Sequence, residues 1–460
     1  MARWGVVGGG VLGCSMALRL AQQGHQVTLY ESATELGGLA SAWQIPGPDG
    51  TTLTWDRHYH VTLLSDARTR AMLAAIGLDR DLKWVETRTG YYGPDGNLVS
   101  VSNSLEFLKL PGLNLLDKAR LAGTILGGSR IKDGRRMERI GVDRWLRRWS
   151  GRRTYDRFWV PLLRAKLGDA HDQASSAFIW ATIQRLYAAR RSGLKKEMFG
   201  YVNGGYNRVM TCFGERLVDA GVKVELGSRV AAVRMADGGG LDIETATTPV
   251  EHFDRSTSSV EHFDDVVVTL ASPLAAELCP DLSDAERARL RAVRYQGIVC
   301  ASVVLDRPLG GYYLTYITDP STPFTAVVEM TAFVDPAELG GKTLVYLPKY
   351  VAPDDPLFDA DDATVRASFL PYLRKMYPDL QDTDVVSFQV SRVRRVFAVP
   401  TLRYSDTMPS IDTSVPGLKL AGSANLPFAT SNVDDTLSLV DRIVPAGAGA
   451  GHGDAHRSAS

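Results

Sequence analysis

The stretch that decides the fold is "RWGVVGGGVLGCSMALRLAQQGHQVTLYES", residues 3–32. Trp4 to Val7 is too short and too rich in β-branched residues for a helix, so it predicts a first strand. Apolar residues at helical spacing predict a helix from Val11 to Gln23, which Gly24 ends. Gln26 to Tyr30 then predicts a second strand. The order of strand, turn, helix and strand is typical of an α/β fold with a parallel sheet.

Three glycines lie in the turn of this unit. Gly8, Gly10 and Gly13 match G-x-G-x-x-G directly after the first strand. The first glycine permits a tight turn, the second lets a pyrophosphate approach the backbone, and the third lets the helix pack closely on the sheet. Glu31 follows the second strand, where a carboxylate accepts hydrogen bonds from a ribose 2′-hydroxyl and repels a 2′-phosphate. The motif therefore predicts a dinucleotide site, disfavours NADPH, and leaves NAD and FAD open.

Length and composition limit the class of protein. A chain of 460 residues exceeds what one hydrophobic core usually organises, so two domains are expected. The sequence is 45% hydrophobic and 23% charged, as in soluble globular enzymes, and its net charge of zero argues against a nucleic-acid partner. Four isolated cysteines, no signal peptide and no apolar run of about eighteen residues predict a cytoplasmic protein.

Patterns along the rest of the chain predict two discontinuous domains. Residues 104–198 carry long helical patterns and are expected to form a helical subdomain, whereas residues 297–350 carry β-rich runs typical of an antiparallel sheet. The end of the chain returns to strand, glycine-rich loop and helix. The predicted division is a cofactor domain of 1–75, 200–272 and 386–445, a substrate domain of 76–199 and 273–385, and a disordered tail at 446–460.

A short repeat, VEHFD, occurs at Val250 to Asp254 and again at Val260 to Asp264. Its two Glu-His pairs resemble part of a metal site, but no further ligands with zinc-like spacing surround them. A tandem duplication that lengthens a surface hairpin is the simpler explanation, because the second copy leads directly into a predicted buried strand. No metal site is predicted.

Charge is unevenly distributed along the chain. Residues 117–196 hold 20 Lys or Arg and 7 Asp or Glu, whereas residues 351–386 are acidic. Three interpretations remain open for the basic segment: solvated faces of exposed helices, a patch that contacts a membrane surface, or a funnel for an anionic substrate. The basic clusters are Arg135-Arg136, Arg147-Arg148, Arg152-Arg153 and Arg190-Arg191.

The cofactor-like pattern at the end of the chain favours FAD. A second helix N-terminus there is expected to lie against the far end of a long cofactor, as an isoalloxazine ring requires. With these motifs and "WDRHYH" at residues 55–60, the chain resembles the FAD-dependent superfamily of protoporphyrinogen oxidases, flavin amine oxidases and carotenoid-type desaturases. It is similar, more distantly, to UDP-galactopyranose mutase. The resemblance implies a Rossmann-like FAD-binding domain of the amine-oxidase type, with a discontinuous α+β substrate domain.

The resemblance also implies which residues hold FAD. A helix N-terminus at the flavin end stabilises negative charge on the reduced ring, which favours acceptance of a hydride. The implied contacts are Gly8, Gly10 and Gly13 at the pyrophosphate; Glu31 at the adenosine ribose; Gly37, Gly38 and Leu39 at the diphosphate and ribityl chain; Val230 at the adenine through its backbone; and Gly422, Ser423, Asn432 and Val433 at the ribityl chain and flavin C2 carbonyl.

Three departures from the family pattern argue against simple amine oxidation. Leu39 follows Gly37-Gly38 where amine-oxidising members commonly have arginine, and Ser423 replaces the usual aspartate after glycine. The segment "NLPFATSNVDD" offers only Phe428 where amine oxidases often place a pair of aromatic residues. No cysteine lies in that segment, so FAD is expected to be noncovalent. These changes leave FAD binding intact and put amine oxidation in doubt.

Catalytic residues are expected in the segment that related folds place beside the isoalloxazine. His58, Tyr59 and His60 are the predicted catalytic residues, although such residues at a strand end often only bond to neighbouring backbone. Glu329 and Tyr316 are weaker candidates on the predicted substrate sheet.

Three functions fit these features. The first is an FAD-dependent oxidoreductase that dehydrogenates a small organic substrate by hydride transfer to flavin N5. The alternative is a flavin-dependent mutase or isomerase that acts on an anionic, nucleotide-sugar-like substrate without net oxidation. The third is a flavin- or lipid-binding protein at a membrane surface without catalytic activity. The sequence favours the first.

Overall fold

The structure, a computed structural model, describes residues 1–46, 50–102, 106, 110–190, 198–247, 259–428 and 432–445. Its strands are β1 (Arg3–Val7), β2 (Gln26–Tyr30), β3 (Ala42–Pro46), β4 (Thr52–Asp56), β5 (Thr62–Leu63), β6 (Leu82–Glu86), β7 (Thr89–Tyr92), β8 (Leu98–Ser100), β9 (Met198–Val202), β10 (Lys223–Glu225), β11 (Ser228–Met235), β12 (Leu241–Thr247), β13 (Ser259–Phe263), β14 (Asp265–Val268), β15 (Tyr295–Leu305), β16 (Leu314–Ile317), β17 (Ala326–Glu329), β18 (Thr343–Val351), β19 (Val385–Ala398) and β20 (Leu418–Leu420).

The helices are α1 (Val11–Gln22), α2 (Ala67–Ala75), α3 (Leu115–Arg130), α4 (Gly134–Glu138), α5 (Val142–Ser150), α6 (Arg152–Thr154), α7 (Val160–Leu167), α8 (Ser176–Arg190), α9 (Gly205–Asp219), α10 (Ser272–Leu278), α11 (Asp284–Arg291), α12 (Asp362–Met376), α13 (Tyr404–Thr407) and α14 (Val433–Ile443). A π-helical segment, Tyr155–Trp159, joins α6 to α7.

A five-stranded parallel sheet has the order β10-β2-β1-β14-β20. Its central strand β1 pairs with β2 on one side and with β14 on the other. Helices α1, α9 and α14 pack on one face around buried residues such as Val6 and Leu29. The other face packs against β11 to β13 and helices α10 and α11. Because both faces are covered, the strands are nearly continuous apolar runs, and the predicted α/β fold with a Rossmann-like sheet is confirmed.

A seven-stranded sheet has the order β19-β15-β18-β17-β16-β7-β8. Neighbouring strands are antiparallel, except that β16 and β7 run parallel. Every residue of β15 is buried, because helix α12 packs on the outer face and helices α5, α7 and α8 pack towards the inner face. Side chains alternate along a strand, so Cys300 and Tyr350 lie on this inner face while Val299 and Leu347 lie on the outer one.

The described part of residues 104–198 is helical, as the sequence predicts, and holds α3 to α8. Trp145, Tyr155 and Trp159 are buried in its core, whereas Trp149 is 53% exposed. Most of the aromatic residues interleaved with the arginines therefore serve packing. The division of the chain into the two domains stays a prediction.

The second VEHFD copy overlaps β13, which pairs antiparallel with β12 and leads into the buried strand β14. The first copy, Arg191 and the tail at 446–460 lie outside the described residues. Within the described ranges, no helix is long and apolar enough to cross a membrane. In the same part of the chain, no three His, Cys, Asp or Glu side chains form a group suited to a metal ion.

Candidate active site

The carboxyl ends of four parallel strands meet at one edge of the five-stranded sheet. Gly8 follows β1 in a positive-φ conformation (φ 112°), which permits the chain to turn there. Thr269, after β14, donates a hydrogen bond from Oγ1 to the Val7 carbonyl at 3.0 Å. Gly422 follows β20, and Glu31 follows β2. In open α/β sheets this edge is where ligands bind.

The glycine turn, Gly8 to Gly13, is shaped by two close approaches. A Cβ atom on Gly13 would lie 1.9 Å from the Gly8 carbonyl oxygen, so only glycine lets α1 start against the turn. A Cβ on Gly10 would meet only the Gly37 carbonyl oxygen, at 3.8 Å. Gly10 is therefore not required by packing within the chain, and the space beside it is open to a ligand at the N-terminus of α1.

The second glycine segment, Gly37 to Leu39, lies against this turn. The Gly37 N–H donates to the Gly9 carbonyl at 2.9 Å, and Gly37 and Gly10 form a parallel bridge. Gly37 and Gly38 both have positive φ values, 140° and 57°, and a Cβ on Gly38 would lie 3.4 Å from Gly10 Cα. The structure thus brings together the two glycine segments that the sequence assigns to the diphosphate.

Glu31, the predicted ribose residue, follows β2 at this edge. Its Oε2 accepts a hydrogen bond from the Gly9 N–H at 2.7 Å, and its Oε1 accepts one from the Ala33 N–H at 2.8 Å. Its backbone carbonyl accepts from the Ser228 N–H at 2.9 Å, which places the start of β11, and with it Val230, beside the end of β2. The predicted adenine and ribose residues therefore lie next to each other.

The predicted flavin-end residues lie on two elements. The Gly422 N–H donates to Asn425 Oδ1 at 2.9 Å and opens a short 3-10 turn, Ser423–Asn425. Asn432 caps α14, since its side chain accepts a hydrogen bond from the Asp435 N–H at 2.8 Å. Val433 begins α14, as the sequence predicts, so the positive end of this helix dipole lies at Asn432 and Val433.

His58 connects the second glycine segment to the seven-stranded sheet. Its Nδ1 donates to the Leu39 carbonyl at 3.3 Å, and its Nε2 accepts from the Ser391 hydroxyl on β19 at 3.2 Å. Burial lowers the pKa of His58 to about 4. The neutral imidazole therefore holds the cofactor segment against the sheet, which is a positioning role.

His60 lies beside Asp56, with 3.6 Å between Nδ1 and Oδ2. Asp56 is 1% exposed, and burial raises the pKa of its carboxyl group. Its Oδ1 accepts the Tyr206 N–H at 2.8 Å at the start of α9, and its backbone carbonyl accepts the Tyr346 hydroxyl at 2.6 Å. Asp56 thus joins the segment "WDRHYH" to α9 and to the inner face of the sheet.

Tyr59 points to the inner face of the seven-stranded sheet. Its hydroxyl oxygen lies 3.1 Å from that of Tyr350, and the Lys166 ammonium group donates to the Tyr350 hydroxyl at 2.7 Å. Burial raises the pKa values of both tyrosines and lowers that of Lys166 to about 8. These three side chains form a polar cluster, called the Lys166 cluster. Its member Tyr59 is the residue after His58 in the chain.

The two weaker candidates occupy different places. Glu329 is 2% exposed and accepts N–H hydrogen bonds from Leu309, Gly310 and Gly311 at 2.8–3.1 Å, so its carboxylate anchors that turn. Tyr316 lies on β16, near enough to Tyr59 to raise the pKa of its hydroxyl. Tyr316 therefore remains near the site, whereas Glu329 has a structural role.

Sequence reasoning missed Asp56, Lys166, Tyr350 and Ser391. Asp56 stands in the quoted segment "WDRHYH", where a carboxylate two and four residues before two histidines was the available signal. The other three come from α7, β18 and β19, which are far apart in the chain. No local pattern marks them, because only the fold brings them together.

Comparison with known proteins decides the family. The model of the family described as flavin containing amine oxidoreductase matches residues 13–430. The chain belongs to this family. FAD is accordingly its cofactor, and the protein is a flavin enzyme of the amine oxidoreductase family.

Relatives of this flavin amine oxidoreductase fit the same assignment. A carotenoid phi-ring synthase from Streptomyces griseus is 40% identical over 74 residues, which cover 16% of this chain and only 14% of that protein. A candidate protoporphyrinogen oxidase from Exiguobacterium sp. 255-15 has a TM-score of 0.72 at 17% identity and covers 96% of this chain and 98% of its own. Reduced UDP-galactopyranose mutase has a TM-score of 0.72 at 15% identity and covers 96% of both chains. At these identities the two structures show a shared fold.

The residues present in this amine oxidoreductase fit FAD. The open space beside Gly10, the free N-terminus of α1 and the adjacent second glycine segment suit a pyrophosphate. The Glu31 carboxylate at the end of β2 suits a ribose. The roles of individual residues toward FAD stay predictions.

The buried His58 side chain predicts that the folded protein loses stability in acid. Between the ordinary pKa of 6.5 and the value of about 4, the unfolded chain binds a proton at His58 and the folded chain does not. Stability is therefore lost as pH falls through this interval, by up to about 3 kcal/mol. Chemical denaturation at about pH 7 and about pH 4.5 is expected to show a smaller acid-induced loss for His58→Gln than for the wild type. His262→Gln, at an exposed position, is the control, and an equal loss in all three proteins would contradict the prediction.

Proposed function

We propose that this protein is an FAD-dependent oxidoreductase that dehydrogenates an organic small molecule. The observation that carries the proposal is the Lys166 cluster on the inner face of the seven-stranded sheet, whose member Tyr59 directly follows His58 in the chain. His58 connects the second glycine segment to this sheet, because it bonds to Leu39 on one side and to Ser391 on the other. A substrate held by the cluster lies beside the segment predicted to bind the flavin.

Each part of this chain has a separate task in the proposed reaction. FAD, when bound, supplies a ring that accepts a hydride from a substrate C–H bond. The apolar cluster around the site, which includes Trp55, Leu63 and Ile298, excludes water. Tyr59 and Tyr350 orient the substrate, and the N-terminus of α14 stabilises negative charge at the flavin end.

The charges around the site favour oxidation over the mutase alternative. Arg185, on α8, is bound to the Asp66 carboxylate at 2.8 Å, so its charge is compensated. Lys166 donates to Tyr350 within the cluster, and no carboxylate in the described part of the chain pairs with it. One uncompensated cation suits a singly charged substrate better than the diphosphate of a nucleotide sugar. The site therefore supports an oxidase whose substrate is not a simple amine, as in the protoporphyrinogen oxidase group.

Turnover experiments separate the three candidate functions. Steady consumption of oxygen or of an electron-accepting dye, dependent on substrate, supports the oxidoreductase. A requirement for added reductant without net electron consumption supports the mutase. Liposome binding without any turnover supports the non-catalytic alternative.

The basic segment supports a second proposal, that this protein docks on an anionic membrane surface from the cytoplasmic side. Its exposed arginines are accompanied by exposed apolar side chains: Leu115 is 79%, Leu116 58% and Trp149 53% exposed. The surface is continuous, because Arg153 on α6 lies 3.7 Å from Asp117, the neighbour of Leu116. Arginines beside exposed leucine and tryptophan suit an interface with anionic lipid.

Only two carboxylates compensate these arginines in the described part of the helical segment. Arg147 and Arg152 both lie 3.8 Å from Asp156, and Arg153 pairs with Asp117. The face therefore keeps a net positive charge. The unpaired cysteines of the described residues, Cys14, Cys212, Cys279 and Cys300, support a reducing, cytoplasmic setting.

The combined change of Arg147, Arg148, Arg152 and Arg153 to Gln is expected to abolish sedimentation with vesicles containing phosphatidylserine. Each basic residue near such a surface contributes about 1 kcal/mol of binding, and the effect should weaken with salt. The control changes four other exposed basic residues to Gln, namely Arg80, Arg216, Arg289 and Lys375. Equal vesicle binding by both variants would contradict docking, and a salt-dependent loss of kcat/KM without vesicle binding would indicate substrate steering.

A further inference from the structure

Lys166 is an unusual cation for the interior of the protein. Its ammonium group lies 4.3 Å from the centre of the Tyr350 ring and 5.6 Å from that of Phe397, and it donates to the Tyr350 hydroxyl. The residue keeps some accessible surface, although burial lowers the pKa of its ammonium group to about 8. The side chain therefore packs against aromatic rings rather than extending into bulk solvent.

No carboxylate compensates this charge in the described part of the chain. The charged group that acts on Lys166 is another cation, Arg185, whose own partner is Asp66. The other titratable groups of the cluster, Tyr59 and Tyr350, are neutral because burial raises their pKa values. A buried ammonium group without a counter-charge is costly, so the site lacks an anion that a ligand can supply.

A buried donor without a partner lies near the end of α7. Gln296 on β15 is 2% exposed, and its Nε2 has no hydrogen-bond partner. Two polar atoms lie close to Gly168. A Cβ atom on Gly168 would lie 2.7 Å from Gln296 Nε2 and 2.9 Å from the Tyr350 carbonyl oxygen. Gly168 is two residues after Lys166, so the end of α7 brings the ammonium and the amide donor to the same region.

We propose that Lys166, with Tyr350, Tyr59 and Gln296, forms a subsite for an anionic oxygen group of the substrate, such as a carboxylate. The proposal rests on the proposed oxidoreductase function and narrows its substrate class. Lys166 supplies the charge, and the Gln296 amide and the one phenol O–H that the Tyr59–Tyr350 pair leaves free supply hydrogen bonds. An ammonium group at this place repels a protonated amine, which agrees with the loss of the amine-oxidase features at Leu39 and Phe428.

A groove at the surface reaches Gln296 and Tyr350, two of the four subsite residues. It has a volume of 1720 Å³, lies between the helical segment and the seven-stranded sheet, and has Gln296, Tyr350 and Gly168 in its lining. None of the predicted FAD residues belongs to that lining, so a substrate entering here approaches the Lys166 cluster without crossing the glycine turn. The lining holds six Lys or Arg and six Asp residues, so the preference for an anion rests on the subsite itself.

Two ring compounds of opposite charge test the subsite on the purified FAD-bound protein. Benzoate and benzylamine are titrated separately, and binding is followed through the perturbation of the visible flavin spectrum. The wild type is expected to bind benzoate and to bind benzylamine at least about tenfold more weakly. Lys166→Met should weaken benzoate binding about tenfold or more, whereas Lys166→Arg, which keeps the charge, should restore most of it. Tyr350→Phe should weaken it less.

The FAD content of every variant is measured from the same spectra. Lys132→Met, an exposed lysine in the helical segment, is the matched control and should leave benzoate binding unchanged. Unchanged benzoate affinity in an FAD-loaded Lys166→Met variant would overturn the subsite, as would preference of the wild type for benzylamine or a complete lack of benzoate binding. Any of these results leaves the oxidoreductase proposal standing, since that proposal fails only if the bound flavin is not reduced by substrate.

Discussion

Gly10→Val is expected to yield a folded protein that lacks FAD. Gly10 has extended backbone angles (φ −75°, ψ 175°) that valine adopts readily. Its Cβ would meet only the Gly37 carbonyl, at 3.8 Å, so the apoprotein tolerates the side chain. The branched side chain instead fills the space that the pyrophosphate needs at the N-terminus of α1. The ratio of FAD to protein after purification should fall from about one to near zero.

A graded series makes this test specific. Gly10→Ala adds only a Cβ and should retain more FAD than Gly10→Val. Gly123→Val is the control, because a Cβ on Gly123 meets no atom within 4 Å and lies far from the turn. Circular dichroism should show that the Gly10 variants keep their secondary structure. Near-stoichiometric FAD in Gly10→Val would mean that the phosphates bind elsewhere.

Asp56→Ala is expected to destabilise the protein by about 2–3 kcal/mol. The change removes the buried acceptor of the Tyr206 N–H, and an unsatisfied buried donor at the start of α9 costs free energy. Residue 205 cannot fill the gap with a side chain, because its φ of 63° is a backbone conformation that favours glycine. The free energy of unfolding by urea measures the effect.

The conservative variant separates the hydrogen bond from the charge. Asp56→Asn keeps an oxygen that accepts the Tyr206 N–H, so it should lose less than about 1 kcal/mol. Because it removes the carboxylate beside His60, any change in activity at unchanged stability would assign a role to the pair. If Asp56→Ala were as stable as the wild type, Asp56 would not join α9 to the segment "WDRHYH".

The parts of the site that are determined by residues close together in the chain could be predicted from the sequence. The turn, the first helix and Glu31 follow from local spacing, and the structure places β2 at Gln26–Tyr30 as expected and ends α1 one residue earlier than predicted. The glycines at 37 and 38 were found through the family pattern, and their contact with Gly10 was not visible in the sequence.

The parts of the site that depend on packing between residues far apart in the chain could not be predicted from the sequence. Glu329 was a candidate because carboxylates on a substrate sheet suit catalysis. Its carboxylate instead accepts hydrogen bonds from three backbone N–H groups. Lys166 looked like one of 20 basic residues in an exposed segment, yet it lies against Tyr350 and Phe397. A periodic pattern shows which face of a helix is apolar but not which side chain of another element lies opposite.

In the proposed reaction, the bound flavin removes electrons from an organic substrate. The direct measurement mixes the FAD-bound protein with candidate metabolites without oxygen, carboxylates first, and follows the visible absorption of the oxidised flavin. We expect a substrate to bleach this absorption without added reductant, one oxidised product to form per flavin, and oxygen or a dye to restore the colour. Product that forms only after chemical reduction of the flavin, with no electrons consumed, would contradict the account and identify a mutase.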